Sequence, residues 1–250
     1  MIDVEDMVRK QIAVFRASDL RSDHERRAGR GKEGNLSYGP YLLISREKGA
    51  GGGAVGRLVG ERMGWRVFNR TLIDAIAEKA QVRRELIESL DERDRKTIQD
   101  AVRRLFDPQP IGTDDYMIFL QEVLHTLGHQ GDVVIVGRGV QFVLPSKFGL
   151  RVRLTAPVDV RIWRIARDES ISTEDARIIV ERTDRERTTL ARRHFDKDPC
   201  DPLLHDVTIN TAELSFEAAV EIVITALKAK LAVEPRVGGI KSACSAQSPG

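Results

Sequence analysis

The segment with the most chemistry to offer reads Ile44-Ser45-Arg46-Glu47-Lys48-Gly49-Ala50-Gly51-Gly52-Gly53-Ala54-Val55-Gly56. Glycines let a backbone approach an anion closely and turn successive N–H groups into one concavity, and a helix starting behind them adds its partial positive end. Arg46, Lys48, Gly49, Ala50, Gly51, Gly52 and Gly53 therefore form a candidate phosphate cradle, with Arg46 or Lys48 supplying a cation from within the loop. A second group is the run of nine arginines from Arg161 to Arg193. Phosphoryl transfer asks little covalent help of a protein and much electrostatic stabilisation, so arginines that close over a phosphate site are the side chains it needs. Arg161 and Arg164, one helical turn apart, are the candidates for such a catalytic lid. Seven acidic residues interleave with these arginines, a mixture that equally describes solvated helices laced by i,i+4 pairs.

Two motifs compete for the glycine loop. Gly51 to Gly56 satisfies the dinucleotide fingerprint GxGxxG literally. In that motif the first glycine follows its strand almost at once, and an acidic residue ends the second strand about 20 residues on. Here six residues separate Ile44 from Gly51, and the second strand runs out as Val67-Phe68-Asn69-Arg70. A P-loop fits the longer arc from Ser45 to Gly53 better, although Gly52 stands where its lysine belongs and Gly53 where its magnesium-binding hydroxyl belongs. The plain alternative is a turn whose glycines only permit tight packing, a use that suits Gly56 and Gly60.

Elsewhere, Arg138 lies between Gly137 and Gly139 at the end of an apolar run, where ligands of open α/β sheets bind. Asp184 and Arg187 share a helix face and can address one ligand or pair with each other. His125 and His129 have i,i+4 spacing without the glutamate of HExxH, so no zinc site is read from them, and no Ser-His-Asp arrangement can be inferred.

The elements that must position these residues alternate. Five short strand candidates, near 41–45, 65–68, 132–136, 150–155 and 206–210, are mostly followed by helical or polar stretches. Helices are indicated near 54–63, 70–80, 83–106 with a break, 114–129, 157–169, 172–195 and 215–231. Such alternation predicts a three-layer α/β/α fold around a parallel sheet. Pro157 at a first helical position and Ser172-x-x-Asp175 as a capping-box-like start support two boundaries. Trp65, Phe68 and Trp163 are expected to pack the core. Residues 1–40 read as a short amphipathic helix and a polar linker, 41–231 as the domain, and 232–250 as a disordered tail.

Bulk composition narrows the class. Of 250 residues, 41% are hydrophobic and 31% charged, enough for one substantial core and unlike a disordered chain. Forty basic side chains nearly cancel 38 acidic ones, so the net charge of +2 argues for no nucleic-acid partner. Cys200 and Cys244 form no disulfide framework. An acidic N-terminus and the lack of an apolar run of about 20 residues point to no membrane and a cytoplasmic address. Oligomeric state is not legible.

Taken together, ISREKGAGG at 44–52, VFNRTLID at 67–74, VIVGRG at 134–139 and Asp184-x-x-Arg187 resemble the cytidylate kinase-like family, over about Tyr41 to Leu231. The resemblance implies a P-loop nucleoside-monophosphate-kinase fold with a five-stranded parallel sheet, an acceptor-binding segment after the second strand and a lid between two late helices. It implies transfer of the γ-phosphoryl of ATP to CMP or dCMP with Mg²⁺, with Arg138 and Arg187 on the acceptor phosphate and Asp184 on its sugar. Departures accompany it: the loop lysine is absent, the aspartate of Gly-Arg-Asp is Gly139, and the base-reading arginine expected in the second major helix is replaced within Asp74-Ala75-Ile76. The other readings are a nucleotide-binding regulatory protein of little or no turnover and, third, a dinucleotide-dependent oxidoreductase.

Overall fold

A computed structural model describes residues 38–78, 87, 94–99 and 115–232. The helix expected near the N-terminus, most of the 83–106 helix and the tail lie outside the described residues. Five strands, β1 (Tyr41–Arg46), β2 (Arg66–Phe68), β3 (Val133–Val136), β4 (Gly149–Thr155) and β5 (Val207–Asn210), form one sheet in the order β2-β3-β1-β4-β5. Every pairing is parallel, and β1 is central, with Leu42 opposite Val134 on one side and Leu150 on the other. A dinucleotide-binding sheet runs 3-2-1-4-5-6, with the second strand beside the first. Here β3 takes that place, so the topology departs from the oxidoreductase reading.

Two faces of the sheet are buried, which is why β1 is apolar at every position from Tyr41 to Ile44. Tyr41 and Leu43 point into a cluster with Phe68, Ile73 and Leu124, whereas Leu42 and Ile44 point into one with Val55, Val59 and Val223. Both layers are fully enclosed around these strands, so cutting Leu43 back to alanine is worth about 2–5 kcal/mol of stability. Helices α1 (Gly52–Met63) and α7 (Phe216–Ala232) cover the second face; α2 (Arg70–Glu78) and α3 (Asp115–Gln130) cover the first. Gly56 and Gly60 let α1 lie close, since a Cβ on them would come within 2.8 Å of Val136 and 2.3 Å of Val67. The packing use of these two glycines therefore holds, alongside whatever the loop before them binds.

Further helices are α4 (Val140–Val143), a single turn that periodicity did not reveal, α5 (Val158–Glu169) and α6 (Thr173–Phe195), and residues 94–99 are also helical. Ser172 caps α6, its hydroxyl accepting from the Asp175 N–H at 3.0 Å, as the capping pattern anticipates. Pro157 is the residue before α5 rather than its first turn. Trp163 also corrects its expectation: it is 55% exposed on α5, its ring 4.7 Å under the Arg167 guanidinium. Among the described residues no helix is long and apolar enough to cross a membrane.

Candidate active site

The glycine loop leaves the carboxyl end of β1 and enters α1 through Gly51, whose φ of +81° is left-handed and whose absent Cβ would lie 2.3 Å from the Phe216 ring. Only glycine meets both demands. Within the loop, the N–H of Glu47 donates to Leu154 O, that of Ala50 to Glu47 O and that of Lys48 to Asp184 Oδ1 at 2.8 Å. Among the described residues no acceptor is found for the N–H groups of Gly49, Gly51, Gly52, Gly53 and Ala54. Five open donors at a helix start form a cradle suited to phosphate oxygens.

Arg46 supplies the charge beside this cradle. Its side chain folds across Gly52, where a Cβ would lie 2.6 Å from Arg46 Cγ, and reaches Gly137, where a Cβ would lie 2.0 Å from Nη1. Among the described residues it has no carboxylate within ion-pair reach. Burial, then the nearby Arg187, Arg70 and Arg138, pull its pKa down from 12.5 to about 9, with Asp184 opposing. A buried cation held among cations is a strained arrangement that a bound anion relieves. The Lys48 ammonium turns elsewhere, to Glu169 at 2.8 Å.

Around Arg46 opens a cavity of 170 Å³ whose walls include Arg70, Arg138, Arg187, Asp184 and Gln141. Arg138 occupies a strained site, φ +61° between two left-handed glycines, which aims its side chain back over Tyr116 and onto Asp74. Asp74 also accepts from the Tyr116 hydroxyl at 2.7 Å. The Arg138 Nε is enclosed with no hydrogen-bond partner. Arg187 donates to Arg46 O at 2.8 Å and stands 3.5 Å from Asp184; burial lowers its pKa while Asp184 resists.

Asp184, Arg161 and Arg164 form the floor of the loop. Arg161 donates to Asp184 at 2.5 Å, Lys48 O at 3.3 Å and Ala156 O at 2.9 Å, and lies 3.4 Å from Glu47. Arg164 bonds Thr211 and Gly49 O, with its guanidinium 5.2 Å from the Phe216 ring centre. The structure thus brings together all the singled-out residues, but in different postures: Arg46, Arg138 and Arg187 line the cavity, Arg138 paired with Asp74 and Arg187 donating to Arg46 O, whereas Arg161 and Arg164 are engaged with loop carbonyls and Lys48 with Glu169.

Sequence reasoning missed the Ser45–His205 pair. Ser45 Oγ lies 2.9 Å from His205 Nε2 on the cavity floor, and His205 Nδ1 lies 3.2 Å from Asp201 O. Burial and then Arg153 lower the His205 pKa. These residues are 160 apart in sequence with no local motif, so only the fold joins them. Gly53 offers no hydroxyl to magnesium, and among the described residues no three His, Cys, Asp or Glu side chains gather, which leaves the phosphates of a nucleotide as the main ligands such an ion would have here.

Comparison with known proteins follows the same lines. The cytidylate kinase-like family matches residues 42–213. A cytidylate kinase of Methanopyrus kandleri is 28% identical over 107 residues, 39% of this chain and 55% of that protein, so the match spans about half of the curated relative. The crystal structure of an uncharacterized protein from Eubacterium ventriosum superposes with a TM-score of 0.60 at 17% identity, over 78% of this chain and 99% of that one, a likeness of fold. A shikimate kinase from Bacteroides thetaiotaomicron gives a TM-score of 0.41 at 15% identity, over 74% of this chain and 96% of that one.

Proposed function

This chain belongs to the cytidylate kinase-like family, and from that membership we propose that it transfers the γ-phosphoryl group of ATP to a nucleoside monophosphate, with CMP or dCMP the first acceptors to try. The observation that carries the proposal is Arg46. Its buried guanidinium, without a carboxylate partner among the described residues, runs across the place of the missing loop lysine beside five open N–H donors. In this reading Arg46 and the N–H groups from Gly49 to Ala54 hold the ATP phosphates, and Arg138 and Arg187 hold the acceptor phosphate across the cavity. Preorganised donors of this kind stabilise charge on the equatorial oxygens as the phosphoryl group moves between them. Arg161 and Arg164 act by holding the loop carbonyls, Asp184 by tying α6 to the loop. Magnesium arrives as part of the Mg–ATP substrate.

The second reading, a regulatory protein that binds nucleotide with little turnover, draws on Asp184. Its carboxylate already takes the Lys48 N–H and the Arg161 and Arg187 guanidiniums, so part of the positive field is used internally. Measuring ATP-dependent phosphorylation of a monophosphate panel, with ATP binding followed in parallel, separates the two. Turnover supports the kinase; binding without turnover on any acceptor supports the regulator.

A further inference from the structure

Tyr41 and Leu43 pack one face of β1 into the core, and Ser45 follows them on that face to the point where the core gives way to the cavity. The backbone of β1 is paired with β3 and β4, which leaves the side chain as the part of Ser45 that borders the cavity. Its hydroxyl lies 2.9 Å from His205 Nε2, with Val152 O at 3.4 Å a poorer acceptor. The far side of the ring fixes the direction of that bond. His205 Nδ1 lies 3.2 Å from Asp201 O, a carbonyl can only accept, and a neutral ring protonated on Nδ1 keeps its lone pair on Nε2. Ser45 is therefore the donor, and a nucleophile, a base and a group that orients the base stand in line.

Transfer to a nucleoside monophosphate leaves this pair unused. The acceptor oxygen of a monophosphate is already anionic, whereas a hydroxyl acceptor must give up its proton to a base. Among the described residues two hydroxyl side chains line the cavity; that of Thr188 donates to Asp184 O at 3.0 Å on its own helix, and that of Ser45 is set on a base. The guanidiniums of Arg46, Arg187 and Arg153 border the same space, Arg153 directly across from Ser45 on β4. They suit the charge that a phosphorylated Ser45 would carry. We propose that Ser45 is a phosphorylation site that the protein fills itself, from ATP held on the glycine loop. The bond from Ser45 Oγ to the γ-phosphorus forms as the bond from that phosphorus to the β,γ-bridging oxygen breaks. ADP leaves with the bridging oxygen, and the hydroxyl proton passes to His205 Nε2 and on to water. The phosphoserine then fills the cationic cavity and closes it to acceptors. The proposal rests on the ATP cradle of the reading above and not on which acceptor that reading names.

The test incubates the full-length chain with Mg–ATP and no acceptor, follows phosphoryl incorporation by intact mass and locates the site by peptide fragmentation. Expected is one phosphoryl group per chain, on Ser45, gained at a first-order rate that does not change with protein concentration, as transfer within one molecule requires. Ser45→Ala should gain none, and His205→Gln should gain it about 100-fold more slowly, the worth of a positioned base. Thermal melts and ATP titrations of both variants establish that they fold and keep the loop. Wild type that binds ATP yet gains no phosphoryl group, or gains it on another residue, overturns this inference alone, as does a rate left unaltered in a folded, ATP-binding His205→Gln. Incorporation on Ser45 in a chain that turns over no monophosphate upholds this inference and overturns the kinase reading. Wild type that binds no ATP overturns both.

Discussion

The side chain of Arg46 occupies the space that a side chain at position 52 would need: a Cβ on Gly52 would sit 2.6 Å from Arg46 Cγ and 3.1 Å from Cδ. With Arg46 in this posture a side chain at 52 has no room, so a lysine there would have to displace the cation that Arg46 places beside the loop. Arg46→Met should weaken ATP binding about 10- to 100-fold, the worth of charge-assisted hydrogen bonds to phosphate. Lys48→Ala, whose ammonium is turned to Glu169, should change it less than threefold or so on the scale of an exposed pair. Calorimetric titration with ATP checks both.

The same pair predicts a reciprocal swap. Gly52→Lys alone should destabilise the protein and lose nucleotide binding, because the new side chain meets Arg46. Combining it with Arg46→Gly should restore binding. Thermal melts and ATP titrations of the three variants give the answer, and a double variant no better than Gly52→Lys would show that the two residues do not compete.

Arg46 also sets a pH dependence. Its folded pKa is about 9, below the ordinary 12.5, and a phosphate ligand binds the protonated form. Affinity for ATP should be level below pH 8 and fall as pH rises through 9, by up to about tenfold per unit while the free site deprotonates ahead of the liganded one. In Arg46→Met that alkaline fall should vanish.

Acid stability should trace to His125. Its Nδ1 lies 2.6 Å from the Tyr38 hydroxyl, and burial lowers its pKa to about 4 from 6.5. Between those values the unfolded chain binds the proton and the native state does not, so stability is present above pH 6.5 and is lost as pH falls toward 4, by about 3 kcal/mol in all. Urea melts from pH 7 to pH 4 should show this slope, and His125→Gln should reduce it.

Breaking the floor of the loop should cost more than its exposure suggests. Arg161→Ala leaves Asp184 and Glu47 without their shared cation, a loss of about 2–4 kcal/mol given that Asp184 remains partly open to water. Denaturant unfolding measures it, and a loss under 1 kcal/mol would mean the clamp is not structural.

Much of this frame is legible in the sequence because it is periodic or local. Apolar runs at β1, β3 and β4, the Ser172 cap and the glycine spacing each reflect short-range rules, and the motifs from Ile44 to Arg187 already point to the family. What the sequence hides depends on the third dimension. Arg46 and Lys48 are equal candidates on paper and are separated only by which way each side chain turns. Arg161 and Arg164 have lid spacing, yet their donors reach loop carbonyls that no pattern places beside them. Gln141 and the Ser45–His205 pair carry no motif at all, and Trp163 is 55% exposed on α5 with its ring under the Arg167 guanidinium.

The central claim is that this loop, with Arg46 in place of the usual lysine, supports phosphoryl transfer, and the most direct measurement is ADP release from Mg–ATP in the presence of each nucleoside monophosphate, for wild type and Arg46→Met. The account predicts acceptor-dependent turnover, highest with CMP or dCMP, that falls at least about 100-fold in the variant. Turnover that survives the loss of Arg46, or tight ATP binding with no acceptor-dependent turnover in wild type, would contradict it.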